Sequence, residues 1–111
     1  MRGDRERLLD ILEAIERIQR YALRGREAFL ADELLQTWVV HHIQIIGEAA
    51  SHASEGLRAT HPEIPWSAIV AMRHVLVHQY FEIDPEEVWI TVDRDIPDLK
   101  GKLEAILSAP N

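Results

Sequence analysis

Eight positions of the stretch MRHVLVHQYFEID, Met72 to Asp84, hold an arginine, two histidines and a tyrosine among Val75, Leu76, Val77 and Phe81. Arg73, His74, His78 and Tyr80 are together the groups needed at a scissile phosphodiester. Arginine offers a fixed guanidinium fork to phosphate oxygens. Histidine titrates near neutrality and moves a proton to or from a ribose oxygen. Tyrosine orients a phosphate or a base, and its hydroxyl can be modified. Each residue also has a plainer role. Arg73 could pair with a buried carboxylate, and the histidines could be ordinary helix-surface residues. His-x-x-x-His also binds metals from one helix face, but no acidic ligand pattern adjoins it, so no metal site is assigned.

The helix that carries these groups is unusual. With Ile69 at 0° and about 100° per residue, Arg73 falls near 40° and Tyr80 near 20°. Met72 and Leu76 flank them at about 300° and 340°, so Arg73 sits in an apolar sector. His74 and His78, one turn apart, lie together near 140° and 180°. Apolar residues fill most other directions, which predicts cover on more than one side. A second copy of the chain is the economical cover, so a homodimer is expected. Arg73 and His78 do not share one face. Either the helix distorts before Asp84, or the two work across a two-fold axis in sites that mix residues of both protomers.

The elements around this helix follow from spacing and punctuation. RERLLDILEAIERIQRYAL is amphipathic, with Asp4 as its expected N-cap and a stop near Arg24 to Arg26. ADELLQTWVVHHIQIIGEAASHAS is a long helix capped by Asp32. Leu35, Trp38, Val39, Ile43, Ile46, Ala49 and Ala50 share its apolar face, with Thr37, His41, Gln44 and Glu48 opposite. SEGLRATHPEI reads as a short helix or turn. Pro65 is expected at the first position of the helix bearing Arg73. Asp84, Pro85 and Glu87 open another helix, which Pro97 should break or kink before it resumes through DLKGKLEAIL. The class is all-α: an up-and-down bundle of four to five helices in one domain, residues 1–111, dimeric. His42 is expected to be a core histidine. His41, His52 and His61 are expected on the surface, and Trp38, Trp66 and Trp89 in packing rather than base stacking.

Composition limits the partners. The chain has 111 residues, no cysteine and a net charge of −7. Disulfides and cysteine-based zinc sites are excluded. The acidic balance argues against a dedicated nucleic-acid coat, though not against an enzyme that touches RNA at one local site. The charged N-terminus and the lack of a long apolar run lead to the expectation of a soluble, cytoplasmic protein with no membrane span.

Arg73, His78 and Tyr80 form the pattern R-x4-H-x-Y. With IIGEAA at Ile45 to Ala50, HPEIPWSAIVAMR before the motif, and YFEIDPEEVW and DIPDLK after it, the chain resembles the HEPN superfamily in its HepT toxin branch. The resemblance covers most of the chain. It implies a dimeric helical bundle acting as a metal-independent ribonuclease that needs no cofactor. In its catalytic site, His78 transfers the proton, Arg73 stabilises charge on the phosphorane, and Tyr80 positions the substrate. The implied partner is an MntA-type minimal nucleotidyltransferase antitoxin that silences the toxin by adenylylating Tyr80. Many members have asparagine where this chain has His74, which places a second imidazole beside the site. Glu48 is a supporting candidate that could orient Arg73 or a histidine. The rival reading is a non-catalytic HEPN companion of a nucleotidyltransferase, binding nucleotides or the partner's substrate.

Overall fold

The computed structural model describes residues 3–79 and 82–109, and all its regular structure is helical. Helix α1, Asp4–Ala22, buries the stripe Leu8, Ile11, Ala14, Ile15 and Ile18. Its N-cap is Gly3 rather than Asp4, and the Glu6 carboxylate accepts the Gly3 N–H at 3.1 Å. Asp4 instead reaches across the fold. Its carboxylate accepts from the Ser54 backbone N–H at 3.0 Å and from the Ser54 hydroxyl at 2.5 Å. These bonds, the hydroxyl first, hold the Asp4 carboxyl below its ordinary pKa.

The chain leaves α1 through Gly25, whose φ of 89° lies in the region that favours glycine. A short helix, α2, Arg26–Ala31, follows; the sequence reading placed no element there. Asp32 then caps α3, Glu33–Ser51, as expected, accepting from Leu34 N–H at 3.0 Å and Leu35 N–H at 3.2 Å. Helix α3 is the central element. It buries Leu35, Val39, Val40, His42, Ile43, Ile46, Gly47, Ala49 and Ala50, and packs against α1 on one side and α5 on the other.

Ser54 caps α4, Glu55–Thr60, through the Leu57 N–H at 3.1 Å. Asp4, Ser54 and Leu57 therefore form one relay that ties the start of α1 to the start of α4. Helix α5 runs Trp66–His78. Pro65 stands one residue before it, as the N-cap, rather than at its first position. Asp84 caps α6, Pro85–Ile90, through the Glu86 N–H at 3.0 Å. The short helices α2 and α6 pack together, with Phe29 and Trp89 5.5 Å apart and an Arg26–Glu86 ion pair.

The helix does not stop at Pro97. It widens into a π turn, Thr91–Asp95, and continues as α7, Ile96–Ser108. Proline has no N–H, and its ring would meet the carbonyl four residues back in a regular helix. In the π turn the Ile96 N–H bonds to the Thr91 carbonyl, five residues back, which makes room for Pro97. Helix α7 closes the core against α1 with Ile96, Leu99 and Leu103.

Among the described residues, α5 is covered chiefly by α3. It packs on α3, and of its residues only Trp66 and Leu76 are buried. Val75 and Val77 are 47% and 44% exposed. The second cover expected from its composition is not supplied by the described part of the same chain. Among the described residues, no helix is long and apolar enough to cross a membrane.

Candidate functional site

Arg73 lies against the C-terminal part of α3, and the contact depends on a glycine. A methyl group on Gly47 would lie 2.2 Å from the Arg73 Cβ and 3.0 Å from its Cγ and Cδ. Backbone and side chain therefore meet at a separation that no larger residue allows. Gly47 is buried within α3, so this close approach sets the distance between α3 and α5.

The residue after this glycine receives the guanidinium. Glu48 Oε2 forms an ion pair with Arg73 Nη2 at 2.8 Å. The Glu48 Oε1 accepts from His52 Nε2 at 2.9 Å. The Arg73 side chain is 35% exposed and that of Glu48 is 50% exposed, so the pair sits at the rim of the α3–α5 seam. The His52 hydrogen bond and then the Arg73 charge hold the Glu48 carboxyl below its ordinary pKa. An ionised carboxylate only accepts, so His52 Nε2 carries the proton in this contact. His52 was expected to be an isolated surface histidine. It is exposed, but it belongs to the cluster, and the i,i+4 spacing from Glu48 was the signal that could have found it.

His74 and His78 occupy another edge of α5. Their rings are tilted by 53° with centroids 4.3 Å apart, and both residues are exposed. Within one chain the helix thus carries two separate groups: a guanidinium held by a carboxylate, and a pair of imidazoles open to solvent. Tyr80 lies outside the described residues.

Other polar residues are accounted for by packing. His42 is buried, and its Nδ1 donates to the Trp38 carbonyl at 2.7 Å. Burial pushes its pKa down, which favours a neutral core imidazole, as expected. Trp38 packs between Tyr21 and His42, and its indole N–H reaches the Arg17 carbonyl at 3.3 Å. Trp66 donates to the His61 carbonyl at 3.0 Å, and His61 itself contacts Glu63 at 3.1 Å. A groove of about 230 Å³ between α1 and α3 is lined by Arg7, Asp10, Glu13, Arg17, His42 and Glu48, among others. It mixes both signs of charge and adjoins the Glu48 contact. Among the described residues, no three His, Asp or Glu side chains converge as a metal ion would need.

Comparison with known proteins places the chain in a family. The family model described as Ribonuclease HepT-like matches residues 11–106. A protein of Thermococcus cleftensis named Probable ribonuclease HepT is 42% identical over 106 residues, which covers 95% of this chain and 96% of the relative. A Methanocaldococcus jannaschii protein named Putative RNase MJ1216 is 34% identical, covering 90% of this chain and 84% of its own length. A longer protein of the same organism, Gamma-glutamylcyclotransferase and putative RNase MJ0434, is 36% identical; the match covers 87% of this chain and 44% of that protein. No solved structure matches the chain.

Proposed function

This chain belongs to the HepT-like ribonuclease family, and from that premise we propose that it is the toxin of a toxin–antitoxin pair, cleaving RNA at a site built on α5. The observation that carries the reading is the position of Arg73. It is seated on Gly47 and paired with Glu48 through Nη2, and its side chain keeps 35% exposure from which a phosphate could be met. The imidazole of His78, exposed five residues further along α5, supplies the proton transfer.

The proposed reaction uses the substrate's own 2′-hydroxyl. His78 removes the hydroxyl proton, O2′ attacks phosphorus, and the P–O5′ bond breaks. The 5′-oxygen leaves and takes up a proton, giving a 2′,3′-cyclic phosphate and a free 5′-hydroxyl. Arg73 stabilises the charge that grows on the non-bridging oxygens. Because Arg73 and His78 face different ways on one helix, the site is completed across a two-fold axis in a homodimer. The apolar side chains that α5 leaves exposed, Val75 and Val77, belong to the surface that would meet its copy.

Control is proposed at Tyr80. An MntA-type nucleotidyltransferase would transfer AMP from ATP to the tyrosine oxygen, releasing pyrophosphate. A bulky anionic group there would compete with substrate phosphate for Arg73. The acidic net charge of −7 favours the other reading, a non-catalytic companion that binds a nucleotidyltransferase or its substrate. Expression in a host, with and without His78→Ala, separates the two. Growth arrest that disappears in the variant supports the ribonuclease, and equal growth with both supports the companion. Co-expression with a nucleotidyltransferase encoded in the neighbouring reading frame, followed by peptide mass spectrometry, tests the modification. Unmodified Tyr80 in an inactive complex would mean inhibition by occlusion instead.

A further inference from the structure

The Glu48 carboxylate is engaged at both oxygens, and the two contacts come from different places. Arg73 approaches from α5 at 2.8 Å, and His52 from the end of α3 itself at 2.9 Å. We infer that His52 is a positioning residue for Arg73: by holding Glu48 Oε1 it locks the carboxylate plane and fixes where the guanidinium points. This rests on the reading that Arg73 is the phosphate-stabilising group.

The physical argument concerns freedom. A half-exposed glutamate on a helix surface samples several rotamers, and a single ion pair to arginine constrains it weakly. A hydrogen bond on the other oxygen restricts the rotation that the ion pair leaves open. His52 is well placed to give it. It lies one helical turn after Glu48, and it is the C-cap of α3, with its backbone N–H directed to the Ala49 and Ala50 carbonyls. Its backbone is therefore anchored where helices often fray. The charged groups facing Glu48 are Arg73 from α5, His52 from α3 and, at longer range, Arg7 from α1. Both arginines keep the carboxylate ionised and able to accept.

Two measurements test this. The first is ¹⁵N relaxation of the Arg73 side-chain Nε–H in the full chain. His52→Ala should raise the mobility of that group. His52→Gln, which keeps an N–H donor at the same spacing, should restore it. Unchanged Arg73 relaxation in His52→Ala overturns the inference whether or not the protein cleaves RNA. The second is kinetic. His52→Ala should lower kcat about two- to fivefold, as an exposed pair of this kind allows, with KM little changed and the glutamine variant recovering. In a Glu48→Ala background the same substitution should change nothing further, because its route runs through Glu48. Additive losses would overturn the inference. A wild-type chain that does not cut RNA would remove the proposed function, and the Arg73 relaxation would still decide the role of His52.

Discussion

Gly47 and Arg73 touch through positions where no other residue could stand: a methyl on Gly47 would fall 2.2 Å from the Arg73 Cβ. Gly47→Ala should therefore force α3 and α5 apart, although alanine suits a helix better than glycine. The overpacking should cost about 1–3 kcal/mol. Because the displaced atoms belong to Arg73, activity should fall by more than the loss of folded protein explains. Thermal unfolding beside the specific activity of the folded fraction checks both. A variant as stable as wild type would show that the seam can yield.

The relay of Asp4, Ser54 and Leu57, two residues beyond His52, carries an acid dependence. Asp4 is held below its ordinary pKa of 3.8 by Ser54, so its folded pKa is depressed relative to the unfolded chain. For such a group the stabilisation is fully present above the unfolded value and is lost as pH falls through the folded one. Asp4→Asn should thus be less stable than wild type near neutrality, and the gap should narrow as pH drops below about 3.8. Ser54→Ala removes the acceptor for Leu57 N–H and the hydroxyl donor to Asp4, leaving the backbone donor, and should cost about 1 kcal/mol. Melting curves across pH 3–7 distinguish this from a constant loss.

The elements that the sequence reveals are those whose stripes are long. Helices α1, α3 and α7 show apolar residues at helical spacing, α5 is apolar nearly all round, and Asp32 and Asp84 are caps in both the reading and the structure. Helix α2 has only six residues, too few for periodicity to register. Asp4 has the residue type and place of an N-cap, yet it serves a serine 50 positions away, and no local rule announces a partner at that distance. Pro97 signals a break, but the chain absorbs it in a π turn. The cluster at the site divides in the same way. The wheel puts Glu48 on a polar edge and Arg73 in an apolar sector, and i,i+4 spacing could have added His52. That Gly47 sets the separation of the two helices is a tertiary fact, and a lone glycine in a helix gives no more than a hint of close approach.

The uncovered edge of α5 leads to a prediction about assembly. Val75 and Val77 are 47% and 44% exposed on a helix rich in apolar residues. Light scattering at micromolar concentration should show a dimer. Val77→Glu, which adds charge at the centre of the proposed contact, should shift it towards monomer while circular dichroism stays helical. Activity should fall with the dimer, since each proposed site needs both protomers. A wild-type monomer that cleaves RNA at full rate would remove the shared site.

The chemistry itself is tested at the ends of the product. If a guanidinium and an imidazole do the work on a 2′-hydroxyl nucleophile, cleavage should survive EDTA. Each cut should leave a 2′,3′-cyclic phosphate and a 5′-hydroxyl, and DNA of the same sequence should resist because it lacks that hydroxyl. His78→Ala removes the proton transfer and should lower the rate about 10²–10⁴-fold. His78 is exposed at the end of α5, so the variant should melt close to wild type. Arg73→Ala differs in kind. It should lose transition-state stabilisation, and it also strips Glu48 of its partner across the α3–α5 seam. At a half-exposed pair the cost in stability should stay within about 1 kcal/mol, small beside the loss in rate. End-group analysis with and without chelator, run on both variants, decides the matter. Cleavage that requires added metal and leaves a 5′-phosphate would sink the mechanism, and full activity in His78→Ala would remove that residue from the site.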